Sequence, residues 1–445
     1  MNVPLEKLMS EAVRFETVSD PDDPDFMADA FSAFRNWISD RFPQVANHEV
    51  QDAPSGGILW RIDGQDDSLA PGLFIAHHDV VPAPEETVAS WTSPPFAGEI
   101  ADGHVWGRGT LDNKSNLVTL LSALEAILHE SLPFARTLYV YSGSDEEVMG
   151  LRGAKRASDW FAQNDIKFDF VLDEGMTVTQ GLVPGLNCPV AMIGLAEWGY
   201  ASTTLAVSRE AEGHSSMPPA ESLVSELGRI TRRLEARAFP GNLGPLTKRM
   251  LKSLAPHASG SVALLYRFPT VFAPLIRFAF ARTDATRAQL GTSLAVTRLS
   301  GGNRENAVPA RVEARLNIRT APGESTDTAM ARLKALGGDR VTLSPPELQI
   351  EASKIADQSG GAWDAICASI NDTFPGAAIA PSLFTGHADA IWFEPVARNV
   401  YRFSPLFLTP GDPERFHGID ERISIDDLNR MCAFYGALIA RAFGI

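Results

Sequence analysis

Three short apolar runs constrain this chain most, because each stops abruptly at side chains that bind metals or move protons. Leu73–Ala76 ends in His77-His78-Asp79, Thr137–Ser144 in Asp145-Glu146-Glu147, and Phe168–Leu172 in Asp173-Glu174-Gly175. Between them lie stretches of helical spacing. Leu117, Leu120, Leu121, Leu124, Ile127 and Leu128 share one face after Asn113, and a further helix is predicted over Gly150–Asn164. Alternation of buried strand and helix predicts an α/β domain with a largely parallel sheet. Open sheets of this kind collect their ligands outside the carboxyl ends of the strands, so all three polar endings should lie along one edge.

The pattern changes near Ile193. An alternating run (Ala201–Val207), a helix from Ala220, strands over Leu294–Leu299 and Val312–Ile318 and a helix over Thr326–Leu336 follow. This strand–helix–strand–strand–helix–strand order predicts a separate, smaller α+β domain of ferredoxin-like type. The α/β style then returns, with helices over Gly361–Phe374 and Ile423–Phe443 and strands over Ala377–Phe384 and Asn399–Leu408. The expected organisation is a larger domain made of 1–193 and 349–445, interrupted by a smaller one at 194–348 with a helical elaboration at 240–290. A chain of 445 residues is long enough for two such cores. The most apolar part of the elaboration, Ser261–Arg282, is broken by Arg267, Pro269, Pro274 and Arg277. It reads as core or dimer packing, not as a membrane span.

Charge narrows the partners. With 55 acidic residues against 39 basic ones the net charge is −16, which argues against nucleic acid as a ligand. The three cysteines, Cys188, Cys367 and Cys432, are widely spaced and form no Cys-x-x-Cys. Neither a disulfide framework nor a thiolate zinc site is expected. Residues 1–15 carry Glu6, Lys7 and Glu11 and read as an amphipathic helix, not a secretory signal, so a cytoplasmic protein without a membrane partner is the expectation.

Two motif-like stretches carry no chemistry on inspection. The acidic turn Asp20–Asp25 lacks the glycine and glutamate of a calcium hand and reads as a solvated loop. Gly103–Gly109 lacks the Gly-Lys-Ser/Thr ending of a phosphate loop. Asp112, read alone, would be a helix N-cap.

Read together, the polar endings are more specific. His77, Asp79, Asp112, Glu146, Glu147, Asp173 and His417 offer imidazole and carboxylate without thiolate, a donor set suited to one or two divalent ions, zinc first. Two ions roughly 3.5–4 Å apart can share one aspartate and one water.

These residues sit in phrases that resemble a known family. Ala76-His77-His78-Asp79-Val80-Val81-Pro82 is similar to His-x-Asp-Val-Val-Pro, and Gly107-Arg108-Gly109-Thr110-Leu111-Asp112-Asn113-Lys114 to Gly-Arg-Gly-Thr-x-Asp-Asp-Lys. Asp145-Glu146-Glu147 and Leu172-Asp173-Glu174-Gly175 complete the set. Across almost its whole length the chain resembles the co-catalytic zinc hydrolases that include aminoacylase, acetylornithine deacetylase, succinyl-diaminopimelate desuccinylase and carboxypeptidase S. The likeness is strongest to the branch of Gly-Xaa carboxypeptidase and N-acyl-amino-acid hydrolases.

The resemblance implies a catalytic domain with an inserted lid or dimerisation domain. It implies two Zn2+ per subunit, with Co2+ or Mn2+ as substitutes: His77 and Asp173 on one ion, Glu147 and His417 on the other, and Asp112 bridging them. Asp79 would orient His77, and Glu146 would be the general base. His214, in Gly213-His214-Ser215-Ser216, resembles a histidine that stabilises the oxyanion and that dimeric members take from the partner subunit. Asn306 and Arg319 match small-domain positions that grip the substrate, whose carboxylate suits a guanidinium.

Two departures stand out. His387, in Gly386-His387-Ala388-Asp389, replaces a small or hydroxyl residue, and the arginine usual near Ile391 is missing; Asn113 replaces a second aspartate. The function so implied is hydrolysis of an amide next to a free carboxylate. Carboxypeptidase or dipeptidase action comes first and deacylation of N-acyl amino acids is the alternative. The substrate would be a small peptide or an N-acyl amino acid, and a homodimer through the lid domain is compatible with it. A catalytically dead metal-binding protein is the rival from another class; loss of Glu146 or of a ligand would mark one, and none is lost.

Overall fold

The computed structural model describes residues 3–54 and 56–445. Met1 and Asn2, where the first expected helix would begin, lie outside the described residues; that helix runs Leu5–Val13. The chain divides into two compact units. The larger contains the residues up to Leu195, Lys252–Arg267 and Ala356–Ile445; the smaller contains Ala196–Leu251 and Phe268–Ile355.

In the larger unit a seven-stranded sheet runs in the order Gly57–Ile62, Leu138–Gly143, Gly72–Ile75, Phe168–Thr179, Ala397–Leu408, Val190–Glu197, Ala378–Phe384. Its middle is parallel: Gly72–Ile75 lies between Leu138–Gly143 and Phe168–Thr179, and Ala397–Leu408 continues beside the latter. Strands buried on both faces need unbroken apolar runs, and Gly72–Ile75 and Leu138–Gly143 are buried at every position. One face packs Leu73, Ile75, Tyr139 and Tyr141 against Phe161 of the helix Ala154–Gln163 and against Phe393. On the other, Phe74 meets Phe170, Tyr435 and Phe443 edge to face, the last two from the closing helix Ile425–Phe443. Because the three strands are parallel, His77, Glu146 and Glu174 all emerge from the same edge of the sheet.

The helix after the glycine-rich approach is Lys114–His129, buried from Lys114 to Glu125. Gly109 holds φ +87, and a Cβ there would stand 2.7 Å from Val80 Cγ1, so this turn needs glycine to bring Asp112 up to the strand Gly72–Ile75.

In the smaller unit the antiparallel order is Ser293–Gly301, Arg311–Arg319, Tyr200–Ser208, Val341–Leu343. Burial alternates along Arg311–Arg319, which puts Val312, Ala314, Leu316 and Ile318 on the covered face. Leu227, Ile230 and Leu234 of the helix Leu223–Arg237 and Leu333 of Thr326–Gly337 fill that core. The chain order of these elements is strand–helix–strand–strand–helix–strand, the expected ferredoxin-like arrangement.

The elaboration departs from expectation twice. Lys252–Arg267 belongs to the larger unit, where Tyr266 Oη donates to Pro184 O at 3.0 Å and Ser259 N to Gly185 O at 3.1 Å. The apolar segment is not core. Its prolines split it into the short helices Gly260–Arg267 and Ala273–Phe280, which bury Tyr266 and Ile276 but leave Leu264, Phe268, Val271, Leu275 and Phe278 exposed.

Candidate metal centre

At the edge of the parallel strands, Asp112 stands between two imidazoles. Its Oδ1 is 3.0 Å from His77 Nε2 and its Oδ2 is 3.1 Å from His417 Nε2. Each histidine has one further carboxylate: Glu174 Oε1 lies 3.1 Å from His77 Nε2, and Glu147 Oε2 lies 3.3 Å from His417 Nε2. The result is two triads, His77–Asp112–Glu174 and Asp112–Glu147–His417, that share Asp112. Asp112 is not the N-cap that its position suggested. Asn113 precedes the helix without a side-chain cap, and the Asp112 carboxylate is spent on the histidines.

Asp173, expected beside His77, is turned elsewhere. Its carboxylate accepts the backbone N–H of Glu174 at 2.8 Å and of Ala390 at 2.7 Å. The cause is a register shift. Arg402 pairs with Asp173 but Phe403 pairs with Met176, so Glu174 and Gly175 bulge out of the ladder. Gly175 takes φ +149, and a Cβ on it would stand 2.7 Å from Arg402 Cβ. A bulge re-aims side chains, and here it delivers Glu174 to the place assigned to its neighbour.

Asp79 organises the rest. Its Oδ1 lies 3.2 Å from His77 Nδ1 and its backbone O lies 3.0 Å from the same nitrogen. That leaves Nδ1 as the donor and Nε2 with a lone pair toward Asp112 and Glu174. The same carboxylate accepts Glu146 N (3.2 Å), Glu147 N (3.1 Å) and Ser19 Oγ (2.7 Å). One buried group therefore sets both the imidazole and the turn bearing the two glutamates. Glu146 Oε2 remains 3.8 Å from His77 Nε2, beside the triad without joining it. His78 faces the other way. Its Nδ1 pairs with Ser142 Oγ at 2.8 Å, its ring stacks on Phe34, and burial lowers its pKa to about 3.

Sequence reasoning missed Glu421. Its carboxylate receives Arg108 Nη1 at 2.6 Å and the backbone N–H groups of Leu111 (2.7 Å) and Asp112 (3.3 Å). Arg108 Nη2 in turn donates to His417 O at 3.1 Å. This buried pair ties the Asp112 turn to the His417 turn. Arg108 stood inside a recognised phrase, but Glu421 had only its spacing of four residues from His417 as a signal.

The electrostatics suit cations. Burial, followed by the Asp112 charge, pushes Glu174 up to about 8. Burial, with Glu174 and Glu147 nearby, raises Glu146 well above the ordinary value. Burial also opposes ionisation of Asp112, but hydrogen bonds from His417 and His77 outweigh it and hold that carboxyl well below the usual range. The hydrogen bonds to Asp112 and Glu147 lift His417 to about 10. Carboxylates this crowded compete for protons, and a divalent cation relieves the same repulsion. Glu147 Oε1 is buried with no hydrogen-bond partner, as an oxygen reserved for an ion would be. The donor set, imidazole and carboxylate without thiolate, fits zinc.

A cavity of about 330 Å³ opens on this centre, lined among others by Asp112, Glu146, Glu174, His387 and His417. His387 is thus a wall residue of the same cavity. The other three expected residues lie in the smaller unit. His214 and Asn306 are drawn together there, since Ala307 pairs with His214 and Ser215 N donates to Asn306 O at 3.0 Å. His214 is exposed, and its Nδ1 accepts Ser216 N at 3.2 Å, which leaves Nε2 as the N–H donor. Arg319 ends the strand Arg311–Arg319 with its guanidinium 4.8 Å from the centre of the Tyr200 ring.

Comparison with known proteins finds relatives along almost the whole chain. Residues 73–441 match the model of Peptidase family M20/M25/M40. The chain is 32% identical over 440 residues to the N-fatty-acyl-amino acid synthase/hydrolase PM20D1 of Xenopus tropicalis, covering 98% of this chain and 85% of that protein. It is 31% identical over 449 residues to the probable carboxypeptidase S-like 2 of Dictyostelium discoideum, with the same coverage of 98% and 85%. The fold is similar to that of Sso-CP2, an M20 family metallo-carboxypeptidase from Sulfolobus solfataricus. There the TM-score is 0.73 at 15% identity, and the match covers 100% of both chains.

Proposed function

The chain belongs to peptidase family M20/M25/M40, a family of metal-dependent hydrolases, and from that premise we propose that it is a dinuclear zinc enzyme cleaving an amide next to a free carboxylate. The observation that carries this is the Asp112 carboxylate, which has one oxygen 3.0 Å from His77 and the other 3.1 Å from His417. Such an aspartate is suited to bridge two ions. His77 and Glu174 would complete one ion's ligands, and Glu147 and His417 the other's. When bound, the ions supply Lewis acidity and make a water ionisable near neutral pH.

The chain's own groups do the rest. Asp79 fixes the His77 tautomer through Nδ1. Glu146, next to the ligands but not among them, takes the proton from the attacking water and delivers it to the leaving nitrogen. His214, with Nε2 as its N–H donor, is proposed as the oxyanion donor, and Asn306 and Arg319 as substrate-holding groups. His387 would meet the part of the substrate that fills the cavity.

Carboxypeptidase or dipeptidase action is the first reading. A second, hydrolysis of N-acyl amino acids, is favoured by the relative named as an N-fatty-acyl-amino acid synthase/hydrolase, which matches 98% of this chain. Both present an amide beside a carboxylate. A screen of zinc-reconstituted enzyme against dipeptides and N-acyl amino acids separates them. Hydrolysis of N-acyl amino acids alone would select the second, and no metal-dependent hydrolysis of either class would overturn the assignment.

A further inference from the structure

From Ala236 to Thr283 the chain contains no aspartate or glutamate, yet it carries Arg237, Lys248, Arg249, Lys252, Arg267, Arg277 and Arg282. Elsewhere acids predominate, since the whole chain has a net charge of −16. The end of this cationic stretch also holds a concentration of exposed apolar side chains. Phe268 is 45% exposed, Val271 71%, Leu275 52% and Phe278 62%. Leu275 and Phe278, three residues apart, share the exposed side of the helix Ala273–Phe280, while Ile276 points inward at 3% exposure; Phe268 and Val271 stand exposed in the turn that leads into it. One cation borders the apolar side directly: the Arg282 guanidinium lies 4.6 Å from the centre of the Phe278 ring, while Arg277, on the same helix, has its Nη2 bonded to Pro240 O at 3.0 Å.

We propose that this face docks the enzyme on an anionic lipid surface, with Val271, Leu275 and Phe278 entering the acyl boundary and Arg277 and Arg282 meeting the headgroups. Charge complementarity decides the occupant. A second copy meeting the same face in a two-fold contact would cover the apolar side chains but bring no excess of acids to Arg277 and Arg282, since the stretch Ala236–Thr283 has none. Nucleic acid would satisfy the guanidinium groups but leave the aliphatic Val271 and Leu275 without partners. An anionic bilayer satisfies both kinds of side chain at once. Among the described residues no helix is long and apolar enough to cross a membrane, so the contact would be peripheral and reversible. The absence of a membrane partner expected from the sequence rested on spanning segments, and peripheral docking needs none.

Flotation of the full-length protein with phosphatidylcholine vesicles, with and without roughly 30% phosphatidylglycerol, tests this. The bound fraction should appear only with phosphatidylglycerol and fall at least about tenfold between roughly 50 mM and 500 mM salt. A Val271→Ser/Phe278→Ser variant should lose about tenfold in bound fraction, and Arg277→Glu/Arg282→Glu a similar amount, with unchanged circular-dichroism melting as the folding control. Equal flotation of both variants with the parent, or no flotation with either vesicle, overturns the proposal. So does a parent that light scattering shows to be a dimer and that V271S/F278S turns into a monomer, or retention on a duplex DNA column that these substitutions leave intact. None of these readouts depends on catalysis, so failure here would leave the hydrolase assignment untouched.

Discussion

Glu174 Oε1 stands 3.1 Å from His77 Nε2, while the carboxylate of Asp173, one residue earlier, is held by two backbone amides. The two acids therefore have separable roles. Glu174→Gln should lower bound zinc by about one equivalent per chain, because the His77 ion loses a ligand. Asp173→Asn should leave the metal count unchanged and cost about 1–3 kcal/mol of stability, since the amide side chain can accept only one of the two N–H groups through oxygen. Metal analysis by mass spectrometry with urea denaturation distinguishes them. If Asp173→Asn loses the ion and Glu174→Gln keeps it, the assignment is reversed.

Glu146 and Glu147 are adjacent in sequence and hang from the same carboxylate through their backbone amides, yet only Glu147 belongs to a triad. Glu146→Gln keeps shape and removes the proton acceptor. Turnover should fall by about 10²–10⁴-fold with metal content unchanged, the range expected for a positioned general base. Glu147→Gln should lower both. Parallel rate and metal measurements on the two variants check the division, and a Glu146→Gln enzyme with near-normal rate would refute it.

The contrast between Asp173 and Glu174 also marks how far the sequence could be read. His77, Asp112 and Glu147 follow apolar runs or a glycine turn, while the ligand role of His417 came from the family resemblance alone, and the structure brings all four together. Alternation of side chains along a strand predicts facing only while the ladder is regular. The register shift between Arg402 and Phe403 lies on a different strand, more than two hundred residues away, and nothing local to Asp173 announces it. Glu421 was hidden for a related reason. Its partner Arg108 is distant in sequence, and buried ion pairs leave no periodic trace. The apolar segment, expected to serve core or dimer packing, does not form core: two prolines left its helices too short to bury a continuous face.

Two of the three cysteines should be poor nucleophiles in the folded protein. Burial raises the Cys367 thiol to about 12 and the Cys432 thiol to about 11. The thiolate is the reactive form, so at pH 8 only about one Cys367 in ten thousand and one Cys432 in a thousand would be ionised. Raised pKa values mean that alkylation accelerates with pH, about tenfold per unit from pH 8 to pH 10. Iodoacetamide labelling followed by peptide mapping should find both sites slower in the native protein than in urea, Cys367 by on the order of a thousandfold. Rapid, pH-independent labelling of Cys367 in the native state would contradict its half-buried setting.

The Arg108–Glu421 pair should behave as a strut between two ligand-bearing turns. Both side chains are almost completely buried, at 3% and 0% exposure, with 2.6 Å between Nη1 and Oε2. Removing one partner strands the other's charge, and that loss typically costs about 3–5 kcal/mol. Arg108→Met should therefore destabilise the metal-free protein by that amount in urea titrations. Metal-free protein is the right reference, because weaker zinc binding would otherwise enter the measured stability. The double variant Arg108→Met/Glu421→Gln should recover part of the loss, since a neutral amide still offers an oxygen to Leu111 N and Asp112 N without a buried charge. It should not recover zinc affinity to the same degree. Arg108 Nη2 also holds His417 O, and without it the two turns keep their fold but lose their mutual alignment, a loss that costs roughly 10–100-fold in affinity when the groups positioning a metal ligand are removed. Stability and affinity that recover together would mean that the pair acts through charge balance alone.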